Sequence, residues 1–190
     1  IEPVYPDPIN PLDPTKSGLR VTINSDVNND GFLSNSDLAT ADFSLLKEKS
    51  PIPIGLDESI HGIAELEQMI GADALSGASL KLIKTGGLMQ GLECAKLLEA
   101  NKLALNLACK IAETSLSGAA TASLGFAMGK VAWGFSMSNQ YLQFDVCDKP
   151  LVADRGHLAV DQLSNVGIGI TPNINRVKDA IAKGYSVIQC

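Results

Sequence analysis

A chain of 190 residues, 45% hydrophobic and 19% charged, is long enough for one domain with a sizeable core. Its net charge of -6 at pH 7 and its lack of Lys/Arg clusters interleaved with aromatics argue against a nucleic-acid or anionic-membrane surface. No apolar run reaches the length of about 18 residues that a membrane span needs, and no signal peptide is read at the start. Cys94, Cys109, Cys147 and Cys190 form no CxxC pair and no Cys/His zinc spacing. Three of them sit in apolar text and read as reduced, buried thiols, which places the chain in a reducing compartment, the cytoplasm.

The elements follow in chain order. Five of the nine prolines fall at positions 3, 6, 8, 11 and 14, so the start is extended loop. "LRVTI" (19–23) alternates like a short strand. In the Asn/Asp-rich text that follows, Asp26, Asn28, Asp30, Gly31, Ser34 and Asp37 take positions 1, 3, 5, 6, 9 and 12 of a calcium loop, and Phe32 would add a carbonyl. The same letters also read as a plain Asx-rich turn that binds nothing.

Beyond Pro53 a strand–helix rhythm begins. Residues 52–56 make a strand candidate, and Ser59 could cap a helix through Ile63, Leu66, Met69 and Ile70. "ASLKLI" is a second strand, broken by Gly86-Gly87, and residues 88–100 form an amphipathic helix. "LALNLA" is a third strand, followed by a small-residue helix from Thr114 or Ser115 to Met128. "VAWGFS" is a fourth strand, with "YLQFDV" as its exit. Strands alternating with such helices predict βα units and a parallel sheet. Polar pairs recur where strands give way to helices: Asp57 and Glu58, Lys81 and Lys84, Lys110 and Glu113. In parallel α/β folds that edge binds ligands. Blander readings stand beside this one. The acids at 57, 58 and 113 could favour a helix dipole, Lys81 could be a surface lysine, His61 and His157 read as solvated, and Trp133 as core.

"PIPIGLDES", "ASLKLIKTGG" and "NLACKIAETSLSGAATASLGFA" together resemble the second half of an enolase-superfamily barrel, in its muconate-lactonizing and mandelate-racemase-like branch. "WGFSMSNQYLQFDV", "DKPL", "GHLAV" and "VGIGI" fit the close of that barrel. The resemblance covers roughly residues 50–172. It implies an α/β fold, a partial (β/α)8 TIM-type barrel represented by its C-terminal half, with an N-terminal Pro-rich and Asp/Asn-rich insertion. The divisions expected are 1–50 (insertion with an EF-hand or dockerin-like loop), 51–172 (barrel half) and 173–190 (C-terminal helix and tail).

The chemistry implied is removal of a proton α to a carboxylate, with a divalent cation offsetting the enediolate charge. By resemblance Asp57 is a Mg²⁺ ligand with Glu58 beside it, and Glu2, before Pro3, stands nearest to the family's Glu-x-Pro ligand. Lys81 matches the acid/base lysine, its pKa expected to be lowered. Lys84 competes with it, since strand alternation would put the two on opposite faces. Glu113 matches a substrate-facing glutamate. The substrate would be a small carboxylate and the reaction racemisation, epimerisation, cycloisomerisation or dehydration. The segment is expected to belong to a longer chain and to be incomplete and inactive alone; homo-oligomerisation is left open. In a dipeptide-epimerizing branch an Asp-x-Asp precedes the last Pro; here Asp145 and Asp148 are one residue further apart. "DVNNDGFLSNSDLATADFSLLKEK" is also similar to one dockerin repeat. The alternative function is therefore a non-catalytic, calcium-stabilised binding or structural module on a degenerate barrel.

Overall fold

The computed structural model describes residues 35–182, and side chains from 42 to 181. The Pro-rich start, the strand read at 19–23, Glu2, Asp26, Asn28, Asp30, Phe32, Ser34 and Cys190 lie outside the described residues. Asp37 falls within the first helix, α1 (Asn35–Lys49). Residues 35–49, read as part of the N-terminal insertion, are thus helical. Phe43 packs on the core and Ser44 Oγ donates to the Ala72 carbonyl at 2.8 Å.

Then come β1 (Gly55–Leu56), α2 (Ile63–Gly71), β2 (Gly77–Leu80), α3 (Leu82–Thr85), α4 (Leu88–Ala100), β3 (Ala104–Ala108), α5 (Ser115–Met128), β4 (Phe135–Ser136) and α6 (Ile174–Ala182). The four strands form one parallel sheet in the order β1-β2-β3-β4. Leu80 pairs with Leu107, and Ala108 with Ser136. Alternation decides the faces. Ala78, Leu80, Leu105 and Leu107 are buried in one cluster with Leu66, Met69, Cys94 and Leu98 from α2 and α4. Ser79 and Asn106, the intervening residues, face the other way and are joined by a 2.7 Å hydrogen bond.

That inner face has a close approach which explains two glycines. Gly55 and Gly77 are register partners, and the Trp133 ring lies across both. A Cβ at Gly77 would stand 2.6 Å from the ring and 2.4 Å from the Ala104 carbonyl. Trp133, read as core, is 39% exposed and covers backbone instead.

Three boundaries differ from the sequence reading. The helix read from Ser59 starts at Ile63, because residues 57–60 turn first, with Ile60 N–H donating to the Asp57 carbonyl at 3.1 Å. The strand read through residues 78–83 stops at Leu80, and Lys81 caps the one-turn α3. The fourth strand is confined to Phe135 and Ser136. Gly86 and Gly87 have φ of 89° and 110°, a conformation that favours glycine, and they turn α3 into α4. Beyond β4 the chain folds back over the start of α5, where Ala119, Met137, Cys147, Leu151 and Ile170 form a second core.

Candidate active site

The C-terminal strand ends collect the polar residues singled out above. Asp57 and Glu58 follow β1 directly, and Lys81 follows β2. Lys81 Nζ donates to Asp57 Oδ1 and, at 2.7 Å, to Glu58 Oε1. Lys84 Nζ donates to the Asp57 carbonyl at 2.9 Å and to Glu58 Oε2 at 3.1 Å. Both lysines therefore meet the same carboxylate, which corrects the expectation of opposite faces. Strand alternation no longer governs after Leu80; the helical turn of α3 brings Lys84 round beside Lys81. The acids do not serve the dipole of α2, since the helix begins only at Ile63.

Charge follows this geometry. Burial pulls the Lys81 pKa down, but its bonds to Asp57 and Glu58 outweigh burial and hold it above the ordinary 10.5. Two carboxylates stabilise the ammonium. Hydrogen bonds from Lys81 and Lys84 hold Glu58 at about 2, below its ordinary 4.5. Lys81 is buried, while the Asp57 side chain is half exposed and that of Glu58 more so.

These residues line a cavity of about 480 Å³, together with Ser79, Asn106, Lys110 and Ser136 from the neighbouring strands. Asn106 is fixed in the wall, its Nδ2 donating to the Gly134 carbonyl at 2.8 Å. Cys109 also faces the cavity, but burial raises its thiol to about 11, so it is an inert wall group. Glu113 does not line the cavity: its Oε1 accepts the Lys110 backbone N–H at 2.9 Å. His61 and His157 are exposed.

The sequence reading missed Ser79, Asn106 and Ser136. For the first two the signal was there, polar letters alternating with leucines along a strand. It also missed a second polar knot below α5. Buried Asp145 accepts Ser115 N–H and Oγ–H through Oδ2, at 2.9 and 2.7 Å, and Cys147 N–H through Oδ1 at 2.9 Å. Asp148 instead accepts from Asn173 and Arg176.

The donor set fits a hard divalent cation in kind. Glu58 has both oxygens on ammonium groups, but Asp57 engages a lysine through Oδ1 only, which leaves Oδ2 for an ion. Among the described residues no three His, Cys, Asp or Glu side chains gather. One or two carboxylates, completed by water and substrate, are what Mg²⁺ commonly takes.

Parallel strands wrapped by helices, with acids and amines at the C-terminal strand ends, define part of a (β/α)8 barrel, its C-terminal half. The chain belongs to the enolase C-terminal domain-like family, whose model matches residues 34–177, and within the enolase superfamily to the muconate-lactonizing and mandelate-racemase-like branch. It is similar to 2-chloromuconate cycloisomerase from Rhodococcus opacus, at 29% identity and TM-score 0.67, over 75% of this chain and 38% of that one. It is also similar to muconate lactonizing enzyme from Pseudomonas fluorescens, at 26% identity and TM-score 0.68, over 74% and 37%. N-succinyl Arg/Lys racemase from Bacillus cereus shares the fold at 19% identity and TM-score 0.64, over 74% and 37%. The chain thus spans 37–38% of the length of these relatives. No curated protein matches it. Among the described residues no helix is long and apolar enough to cross a membrane.

Proposed function

We propose that this segment forms part of the active site of an enzyme that moves a proton at the carbon α to a carboxylate, as a racemase or epimerase, a cycloisomerase or a dehydratase. The observation that carries the reading is the buried Lys81 ammonium, held between Asp57 and Glu58 at the wall of the cavity.

Lys81 is the acid/base group. Its two carboxylate partners keep the proton on Nζ, so in this arrangement Lys81 is a donor, while burial works against the charged form. In the deprotonation direction Lys81 acts as the neutral amine: the Cα–H bond breaks, the proton passes to the Nζ lone pair to give the ammonium, and the C–H electron pair moves into the carboxylate as an enediolate. In reprotonation the same Nζ returns the proton. A Mg²⁺ ion held by Asp57, with Glu2 as a further ligand and Glu58 alongside, would offset the second charge of the enediolate. Glu58 fixes Lys81 and Lys84 together, and Glu113 Oε1 holds the Lys110 backbone N–H. The substrate is a small carboxylate, and the segment works as one part of a complete barrel.

The test, made with this segment as part of the complete barrel, is exchange of α-protons for deuterium in D2O with Mg²⁺ over a panel of small carboxylates, followed by NMR. K81A should slow exchange by about 10²–10⁴-fold; exchange undiminished in K81A overturns the assignment. Calorimetric titration with Mg²⁺ should give millimolar or tighter binding that is lost in D57A. Binding unchanged in D57A would remove that residue as the ligand.

A further inference from the structure

Residues two apart along each strand stack in layers on the inner face of the sheet. Gly55 and Gly77 make the lowest layer, under the Trp133 ring. Ser79 and Asn106, register partners, make the next, and Lys81 stands above them with Ala108 and Ser136. The upper two layers line the cavity, and the ring lies beneath them.

Trp133 reaches that place against the strand pattern. Leu107 pairs with Phe135, so a regular β4 would set residue 133 level with Leu105, on the outer face that packs against the helices. Gly134, with a φ of 79°, breaks the alternation. Two consecutive carbonyls, those of Trp133 and Gly134, then converge on one donor, Asn106 Nδ2, at 3.1 and 2.8 Å. The polarity of this amide is fixed. Only its N–H groups can face two carbonyls, so Oδ1 faces Ser79, whose hydroxyl donates to it at 2.7 Å. One side chain thus joins β2, β3 and the turn into β4.

We propose that Asn106 is a positioning residue of the site: its amide holds the turn before β4 so that the Trp133 ring closes the inner face beneath Lys81. The effect on rate rests on the acid/base reading of the cavity, whereas the placement of the ring is tested without it.

Trp133 is the chain's single tryptophan, so its emission reports the ring directly. N106D keeps the size of the side chain but has no N–H for the two carbonyls. N106A removes the amide altogether and takes the place of N106D if that variant gives no cooperative melt. In either, emission should move to longer wavelength and acrylamide quenching should rise as the ring leaves the glycine slot. S79A removes the bond to β2 but leaves both bonds to the turn, so its emission should match that of the unaltered chain. In the complete barrel, N106A should slow α-proton exchange by up to about 10²-fold, with the loss in kcat rather than in KM. Emission unchanged in the Asn106 variants, or moved as far by S79A, would overturn the proposal. So would exchange undiminished by N106A in a barrel that K81A slows. No exchange in the unaltered barrel, or exchange undiminished in K81A, strikes the acid/base reading instead, and the emission of the variants then decides whether Asn106 sets the ring.

Discussion

Asp57 and Asp145 follow strand-like text in the same way, and the structure makes opposite use of them. Asp145 is buried and bound by two backbone N–H groups and a hydroxyl, all from residues with no charge. It ties the start of α5 to the segment that folds back over it. Asp57 is half exposed, bound by a side-chain ammonium, and keeps one oxygen open. A carboxylate whose bonds go to backbone is committed to the fold. One whose bonds go to lysine side chains can exchange partners, which is what a site that moves protons requires.

The largest test of that contrast is D145A. Removing the carboxylate orphans the Ser115 N–H, the Ser115 hydroxyl and the Cys147 N–H in a buried place. At about 1–3 kcal/mol for each buried group left unpaired, with partial relaxation, the expected loss is about 3–5 kcal/mol. A urea unfolding curve measures it. A loss below about 1 kcal/mol would mean that the knot does not hold the segment over α5.

G77A comes next and probes the inner face. The new Cβ would press on the Ala104 carbonyl as well as on the Trp133 ring, and the carbonyl belongs to a paired strand that cannot give way cheaply. The expected cost is about 1–3 kcal/mol. Because Trp133 is the chain's single tryptophan, its emission should shift in the folded protein. Unchanged emission and stability would show that the ring does not lie in the glycine slot.

Much of this was legible in the letters, for identifiable reasons. Helix α4 was read at its observed bounds because Gly86-Gly87 and the run of apolar residues mark its start without ambiguity. Helix α5 was legible within one residue at its N-terminus. Asp57 and Lys81 were named together, since alternating leucines make a strand end visible. What was not legible is where alternation stops. The text 78–83 continues to look like a strand after Leu80, so the meeting of Lys81 and Lys84 on Glu58 followed only from the turn of α3. The structural role of Asp145 was invisible for a different reason. Its partners Ser115 and Cys147 lie 30 residues upstream and 2 downstream, and no local pattern joins them.

D57A should change stability little. The Asp57 carboxylate is half exposed, where solvent screens it, and the buried Lys81 keeps Glu58 as a partner, so the expected loss is below about 1 kcal/mol. D57A unfolding as readily as D145A would erase the distinction between a structural and a functional acid.

The smallest effect is a slope rather than a loss, and it belongs to Glu58. The unfolded chain takes up this proton near the ordinary 4.5, whereas Lys81 and Lys84 defer uptake in the folded chain to about 2. The Glu58 contribution is therefore complete above pH 4.5 and disappears as the pH falls toward 2. Lys81 has the opposite sign: its raised pKa contributes fully below 10.5 and is lost as pH climbs above that value. Urea midpoints of the unaltered chain and E58Q, taken from pH 5 to pH 2, isolate the acid limb, because the other carboxylates contribute alike to both. The gap between the two proteins should narrow as the pH falls. Parallel profiles would leave Asp57 gripping Lys81 by itself. Glu58 would then have no part in keeping the proton on Nζ, and the contrast with Asp145 would rest on one exposed acid instead of two.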